Sequence, residues 1–308
     1  MKKGKRTLQK IREHWALYVF LILPVLYVFV FKYLPMGGLA IAFQDFRIRK
    51  GIFGSEWVGL KHFIDFFQNY NFKRTLVNTL IISVYSLVTS FPLSVLFALV
   101  LNSLRNRGFQ KVTQAIACLP HFISTVVLVG IVFQLFDSRT GLYGIIGEAL
   151  NGTYPENLFA SGAGFRHSYV WSGVWKSFGW GSILYTAALA GIDPSYHEAA
   201  QIDGASRWQR IWHIDLPGIL PTIITMLILN LGSIMNVGFE KVLLMQNTLN
   251  LSASEIISTY SYRVGLAGDA GTNMSYGAAI GLFNSVVNFI LLVSFNKISK
   301  KVSDTSLW

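Results

Sequence analysis

Charge is scarce in this chain. Of its 308 residues only 13% are Asp, Glu, Lys or Arg, against 52% that are hydrophobic. Soluble domains carry about 25% charged residues, so the deficit excludes an ordinary water-soluble globule and points to lipid as solvent. Cysteine is almost missing. Cys118 stands alone beside Leu119-Pro120, which excludes an internal disulfide and a thiolate zinc site. No G-x-x-x-x-G-K-[ST] phosphate loop occurs, because Lys176-Ser177 lacks the preceding glycines. H-E-x-x-H and C-x-x-C are absent, and His14, His62, His121, His167, His197 and His213 are scattered. Low-complexity segments are absent as well, and no internal repeat is strong enough to suggest an inverted-repeat transporter.

What the chain has instead is long apolar runs. A helix needs about 20 largely apolar residues to cross the hydrocarbon core of a bilayer. Six stretches qualify: 15–36, 75–101, 112–136, 168–191, 217–239 and 276–296. The expected fold is thus an all-α membrane protein with six transmembrane helices. Its expected division is a basic N-terminus at 1–14, a membrane domain at 15–296 containing a loop at 192–216, and a tail at 297–308. The first run follows a basic stretch, as in a signal peptide. It is too long for an h-region and no A-x-A-like site follows, so an uncleaved helix is expected.

The formal charge of +11 suggests nucleic acid at first sight, but its placement does not. Residues 1–14, 103–111, 192–216 and 297–308 hold 14 of the 26 Lys and Arg, among them Lys2, Lys3, Arg105, Arg107, Arg207, Arg210 and Lys297. All four segments lie on one side if six spans alternate. By the positive-inside rule that side is the cytoplasm, with both termini inside. Outside lie 37–74, expected as an ordered cap with short helices around Trp57 to Phe63, then 137–167 and 240–275. Pro24 and Pro92 are expected to kink or bend the first two spans. Asn78, Ser83, Ser86, Thr89, Ser90 and Ser94 punctuate the second, as suits helix–helix contacts in lipid. The third span contains Pro120-His121.

The most informative stretch is polar. Residues 198–221 read EAAQIDGASRWQRIWHIDLPGILP. Asp193 and Pro194 are suited to cap and open a helix. Helical spacing sets Glu198, Ile202 and Ala205 near one line. Ala199, Ala200, Gly204 and Ala205 are small, so another surface can approach the backbone. Asp203-Gly204 is a turn signal that ends one helix and starts another at an angle. The second helix sets Trp208, Ile211 and Trp212 on one face, with Arg207, Gln209 and Arg210 opposite. Pro217 is expected to open span five. An interfacial amphipathic helix would account for Trp208 and Trp212. It does not account for E-A-A, D-G-A and the Ile214-x-Leu216-Pro217 close occurring together.

Candidate cargo contacts lie in the spans. Trp171, Trp175 and Phe178 recur at i, i+4 and i+7, with Lys176 and Trp180 beside them. Sugars stack on aromatic faces while polar groups take their hydroxyls; an aromatic belt at the membrane interface is the competing explanation for Trp171 and Trp175. Intramembrane lysine is costly and faces a cavity or a partner, so Lys176 suits a cargo hydroxyl or carboxylate, or a structural counter-ion. Asn230, Asn236, Asn284 and Asn288 suit cargo or interhelical hydrogen bonds. Phe239 and Glu240 end span five on the outer side. No acidic residue lies deep in any span, as a secondary transporter would need. Asp45, Glu56, Asp65 and Asp137 form no recognisable site for an enzyme acting on lipid-linked sugar.

The 198–217 pattern resembles the EAA loop of the membrane subunits of bacterial ATP-binding-cassette importers. Phe31 to Met36, Ala42 to Phe46, Trp57 to Phe63 and Gly238 to Asn247 are similar to LplB-type carbohydrate permeases, a subgroup of the maltose-importer-like family. The resemblance implies a type I importer permease fold in a bacterial cytoplasmic membrane. It implies a second homologous permease, two ATPase subunits that carry ATP and Mg, an extracytoplasmic solute-binding protein and an oligosaccharide cargo. It also implies ATPase contact at Glu198 and a bend at Gly204, with no cofactor and no catalysis in this chain. A non-sugar solute carried by the same fold remains the alternative.

Overall fold

A computed structural model describes residues 13–267 and 272–303 of the chain. The basic residues from Lys2 to Arg12 lie outside the described residues.

Helix α1, Trp15–Val28, passes into a widened turn at Phe29–Tyr33 and a tighter 3-10 stretch at Leu34–Phe43. Pro24 sits inside α1, while Pro35 stands at the opening of the 3-10 stretch, where a missing N–H matters least. No α1 side chain is buried, so its apolar surface is left for lipid or another helix. The outer segment that follows is ordered, as expected. Strands β1 (Gln44–Asp45) and β2 (Glu56–Trp57) pair antiparallel, and α2 (Lys61–Gln68) leans on them. His62 Nε2 lies 3.0 Å from the Gln44 carbonyl, and the Phe46 N–H donates to Ser275 Oγ at 2.9 Å.

Helix α3, Tyr70–Asn102, runs unbroken through Pro92. Next come α4 (Arg107–Cys118), a 3-10 turn at Leu119–Phe122 and α5 (Thr125–Leu135). The stretch expected as span three, 112–136, is sharply bent: its two halves meet at 97°. Pro120 has no N–H to continue the ladder, and Ser124 restarts it by accepting from the Val127 N–H at 3.3 Å. After α6 (Leu142–Asn151), helix α7 (Gly162–Leu189) lies along α3.

Helix α8, Pro194–Ile202, is followed by a helical turn at Arg207–Arg210, a widened π-type turn at Ile211–Asp215 and α9 at Leu216–Gly232. The helix is continuous from Arg207 to Gly232. Span five is therefore shifted towards the loop relative to the expected 217–239, and Pro217 lies within the helix instead of opening it. The widened turn falls where Pro217 has no N–H to offer the preceding turn. The chain ends in α10 (Phe239–Met245), α11 (Ile257–Gly265) and the long α12 (Met274–Ser303).

Among the described residues four helices are long and apolar enough to cross a membrane: Trp15–Phe43, Tyr70–Asn102, Arg207–Gly232 and Met274–Lys300. The bent α4–α5 pair makes a fifth if its two halves are one span. Helix α7 has the length but carries Lys176 and several Ser and Gly residues, which lower its apolarity. Three apolar cores hold these helices together. Ile82, Val132, Phe165 and Val242 join α3, α5, α7 and α10. Leu99, Leu189, Ile211 and Ile219 join the ends of α3 and α7 to the start of α9. Phe66, Met235, Tyr260 and Ile280 join α2, α11 and α12. A Cβ at Gly179 would lie 2.1 Å from the Ala117 carbonyl oxygen, so glycine is what lets α7 approach α4.

Candidate coupling loop and translocation cavity

The loop is built as a protruding bend. Asp193 caps α8 by accepting from the Ser195 N–H at 2.9 Å, with Pro194 as first helical residue. That bond holds the exposed Asp193 carboxyl below its ordinary range. At the other end Gly204 takes a left-handed conformation (φ 77°). The Ala205 N–H donates to the Ala200 carbonyl at 2.8 Å and the Gly204 N–H to Gln201 at 3.1 Å, the paired bonds that close a helix through glycine. Ser206 and Gln209 then cap the next turn reciprocally, at 3.3 and 2.7 Å. The turn signal at Asp203-Gly204 is thus realised as a fixed angle. Ala205 lies beyond that angle, so it does not continue the α8 line through Glu198 and Ile202.

Helix α8 buries no side chain. Glu198, Ala199, Asp203 and Gly204 are exposed, Ala200 and Ala205 half-buried. In the following turn Ile211 is buried, whereas Trp208 and Trp212 are exposed. Ile214 and Leu216 are half-buried, Leu216 against the inner core, and Pro217 is exposed.

A cavity of about 400 Å³ opens between α3, α7, α9 and the chain after α9. Ser83, Ser86, Ser90 and Ser94 of α3 line it, at i, i+3, i+7 and i+11 on one helix face. Across from them stand Tyr169, Ser177, Trp180 and Tyr185 of α7, then Asn230, Ser233 and Asn236. Ser90 and Ser177 hydroxyls face each other at 3.4 Å. The serine row was legible as a one-face pattern, but its spacing fits a helix interface equally well.

The anticipated cargo residues separate into groups. Trp180, Asn230 and Asn236 line this cavity. Asn236 Oδ1 accepts from Asn288 at 2.9 Å and Asn284 at 3.3 Å, and Asn288 also accepts from the Met235 N–H at 3.0 Å. The asparagines therefore form one cluster between α12 and the chain after α9. Trp171 and Trp175 line a different groove, apolar and about 510 Å³, with Leu128, Ile131 and Leu135. Trp171 donates to the Tyr85 hydroxyl at 3.0 Å. Trp180 stacks on His121 at 4.4 Å and 3°, beside the break in span three. Phe239 packs on Tyr262 at 5.3 Å, and Glu240 is exposed.

Two features went unforeseen. Lys241 is buried, donates to the Tyr169 carbonyl at 2.5 Å and lies 4.4 Å from that ring. Burial, with Lys176 nearby, pushes its ammonium down to about 7. Among the described residues neither lysine has an ion pair. Glu255, fully buried, pairs with both Arg74 and Arg263. Asn78 donates to the Ser252 and Glu255 carbonyls at 2.9 and 3.1 Å while accepting from Arg166 at 2.9 Å. Nothing local in the sequence marks Glu255, whose partners on α3 are about 180 residues away.

A helical membrane chain with a serine- and asparagine-bearing cavity between its helices and a bent, exposed helix at one end is the architecture of an importer permease. Residues 90–304 match the family model described as binding-protein-dependent transport system inner membrane component, and the chain belongs to that family. It is therefore a non-catalytic permease subunit of an ABC importer with the type I fold. It is 44% identical to Protein LplB of Bacillus subtilis (strain 168) over 96% of this chain and 92% of that protein. It is 38% identical to the polygalacturonan/rhamnogalacturonan transport system permease protein YteP of the same organism, over 100% and 94%. It also resembles a chain in the crystal structure of a bacterial alginate ABC transporter in complex with alginate pentasaccharide-bound periplasmic protein. That match has a TM-score of 0.87 and 35% identity, covering 98% of this chain and all of the other.

Proposed function

We propose that this permease forms half of an oligosaccharide pathway and is driven through α8 by a cytoplasmic ATPase. The observation that carries the reading is α8 itself: a capped, fixed-angle helix with no buried side chain, presenting Glu198, Ala199 and Gly204 to a partner. The ATPase holds ATP and Mg, and its movement is delivered through α8 into α7 and α9. A second permease, a different chain, completes the pathway. A solute-binding protein delivers cargo at the outer face, and both termini lie in the cytoplasm of a bacterial cell.

Cargo hydroxyls are met by the Ser83–Ser94 row and Asn230, with Trp180 as the stacking surface. Acidic sugars are the favoured class. Lys176 and Lys241 lie near one another without an ion pair among the described residues, and relatives are named for polygalacturonan, rhamnogalacturonan and alginate.

A mild-detergent pull-down of the tagged chain from its native membrane tests the assembly. Recovery of an ABC ATPase, a second permease and a solute-binding protein is expected. Reproducible recovery of the chain alone, with no ATPase crosslinked through 198–205, would reject the reading.

A further inference from the structure

His197 is the neighbour of Glu198, yet it points the other way. Of the α8 residues only His197 and Ala200 are half-buried; the rest are exposed. Among the described residues His197 is also the one α8 side chain bonded to another helix. Its Nε2 lies 3.2 Å from Asp215 Oδ1. Asp215 is 3% exposed and sits in the widened turn that leads into α9. The same oxygen faces Asn102 Nδ2, on the last residue of α3, at 3.4 Å. One carboxylate thus touches the protruding helix, the end of α3 and the start of α9.

Around this junction is room to move. A cavity of about 450 Å³ lies between α8 and the body, lined by Asn102, Arg107, Thr186, His197, Gln201 and Arg210. The apolar core of Leu99, Leu189, Ile211 and Ile219 lies beside it and joins α3, α7 and α9. A buried carboxylate that loses its partner is strongly disfavoured. A displacement of α8 therefore either carries Asp215 with it or breaks the pair.

We propose that Asp215 is a positioning residue that passes the displacement of α8 to α3 and α9, with His197 as the input and Asn102 as one output. The inference rests on α8 being the ATPase dock. Asp215 fills the unspecified position of the Ile214-x-Leu216-Pro217 close, so the motif gives it no role.

The test uses the full assembly, with partner permease, ATPase and binding protein, in nanodiscs. Cys118→Ala removes the native thiol and Ser233→Cys places a reporter in the translocation cavity. Maleimide labelling is compared without nucleotide and after trapping with ATP, Mg and vanadate. The parent is expected to change its labelling rate about fivefold or more between the two states, the low end of ordinary coupling between sites. Asp215→Asn and His197→Ala should each retain the ATPase but lose most of that change, and Asp215→Glu should restore it. An undiminished change in either Asp215→Asn or His197→Ala overturns the proposal, as does a parent with no change. Loss of the ATPase from Asp215→Asn would mark a docking or folding residue and overturn it as well. A parent that recovers no ATPase removes the docking reading, and this link with it.

Discussion

Two polar segments bound the same helical bundle and are held in opposite ways. At one end, 246–265 is anchored by buried groups: Glu255 between Arg74 and Arg263, Asn250 on the Phe159 and Met245 carbonyls, Thr79 on the Ile257 N–H. At the other, α8 buries nothing and reaches the body through one His–Asp pair. Buried polar networks fix one arrangement, because each broken contact leaves an uncompensated group in low dielectric. Exposed helices with a capped bend keep their own shape while moving as a unit. The 246–265 segment is thus built as a platform, and α8, on the coupling we propose, as a lever.

Removing the platform's centre should give the largest effect. Glu255→Ala leaves two guanidinium groups without their carboxylate, and we expect a loss of about 3 kcal/mol, the low end for breaking a buried pair because both arginines keep some solvent access. Thermal unfolding of the detergent-purified chain reads this; an unchanged melting temperature would erase the contrast. The lever should respond in the other currency. Ala205→Glu is expected to leave melting unchanged while uptake by the reconstituted importer falls about tenfold, equal to 1.4 kcal/mol of lost coupling. Normal uptake in that variant would mean that the bend region does not meet the ATPase. The smallest change is Gly204→Ala. An alanine at φ 77° costs about 1 kcal/mol of local strain. Because that is about a third of the Glu255→Ala loss, melting should fall only slightly and uptake fall about two- to threefold, a weak coupling change. A melting shift as large as that of Glu255→Ala would show that α8 is part of the stability core.

Much of this was legible beforehand. Asp193-Pro194 and Asp203-Gly204 mark helix start and stop through local backbone chemistry, and the structure uses both. Composition separated the chain from soluble proteins. The limits of the reading are equally physical. Apolar length alone did not show the 97° bend between α4 and α5, because a bend at Pro120 leaves the average apolarity of 112–136 unchanged. Span five was placed too late because a helix that begins in a polar loop shows no hydropathy edge at its start. Trp171, Trp175 and Trp180 look alike in sequence, yet two line an apolar groove and one lines the cavity that the serine row faces. Neighbours on one helix face different directions, and periodicity does not say what stands opposite.

By itself, then, the sequence determined the lipid-facing class and the capped bend of the 192–216 loop. Each depends on composition or on residues within a few positions of one another. Only the tertiary structure decided that four serines of α3 face a cavity, that Glu255 is buried between Arg74 and Arg263, and that Asp215 joins α8 to α3. Most of those contacts bring together residues far apart in the chain, as Glu255 with Arg74. Their partners are chosen by packing, which no local pattern encodes.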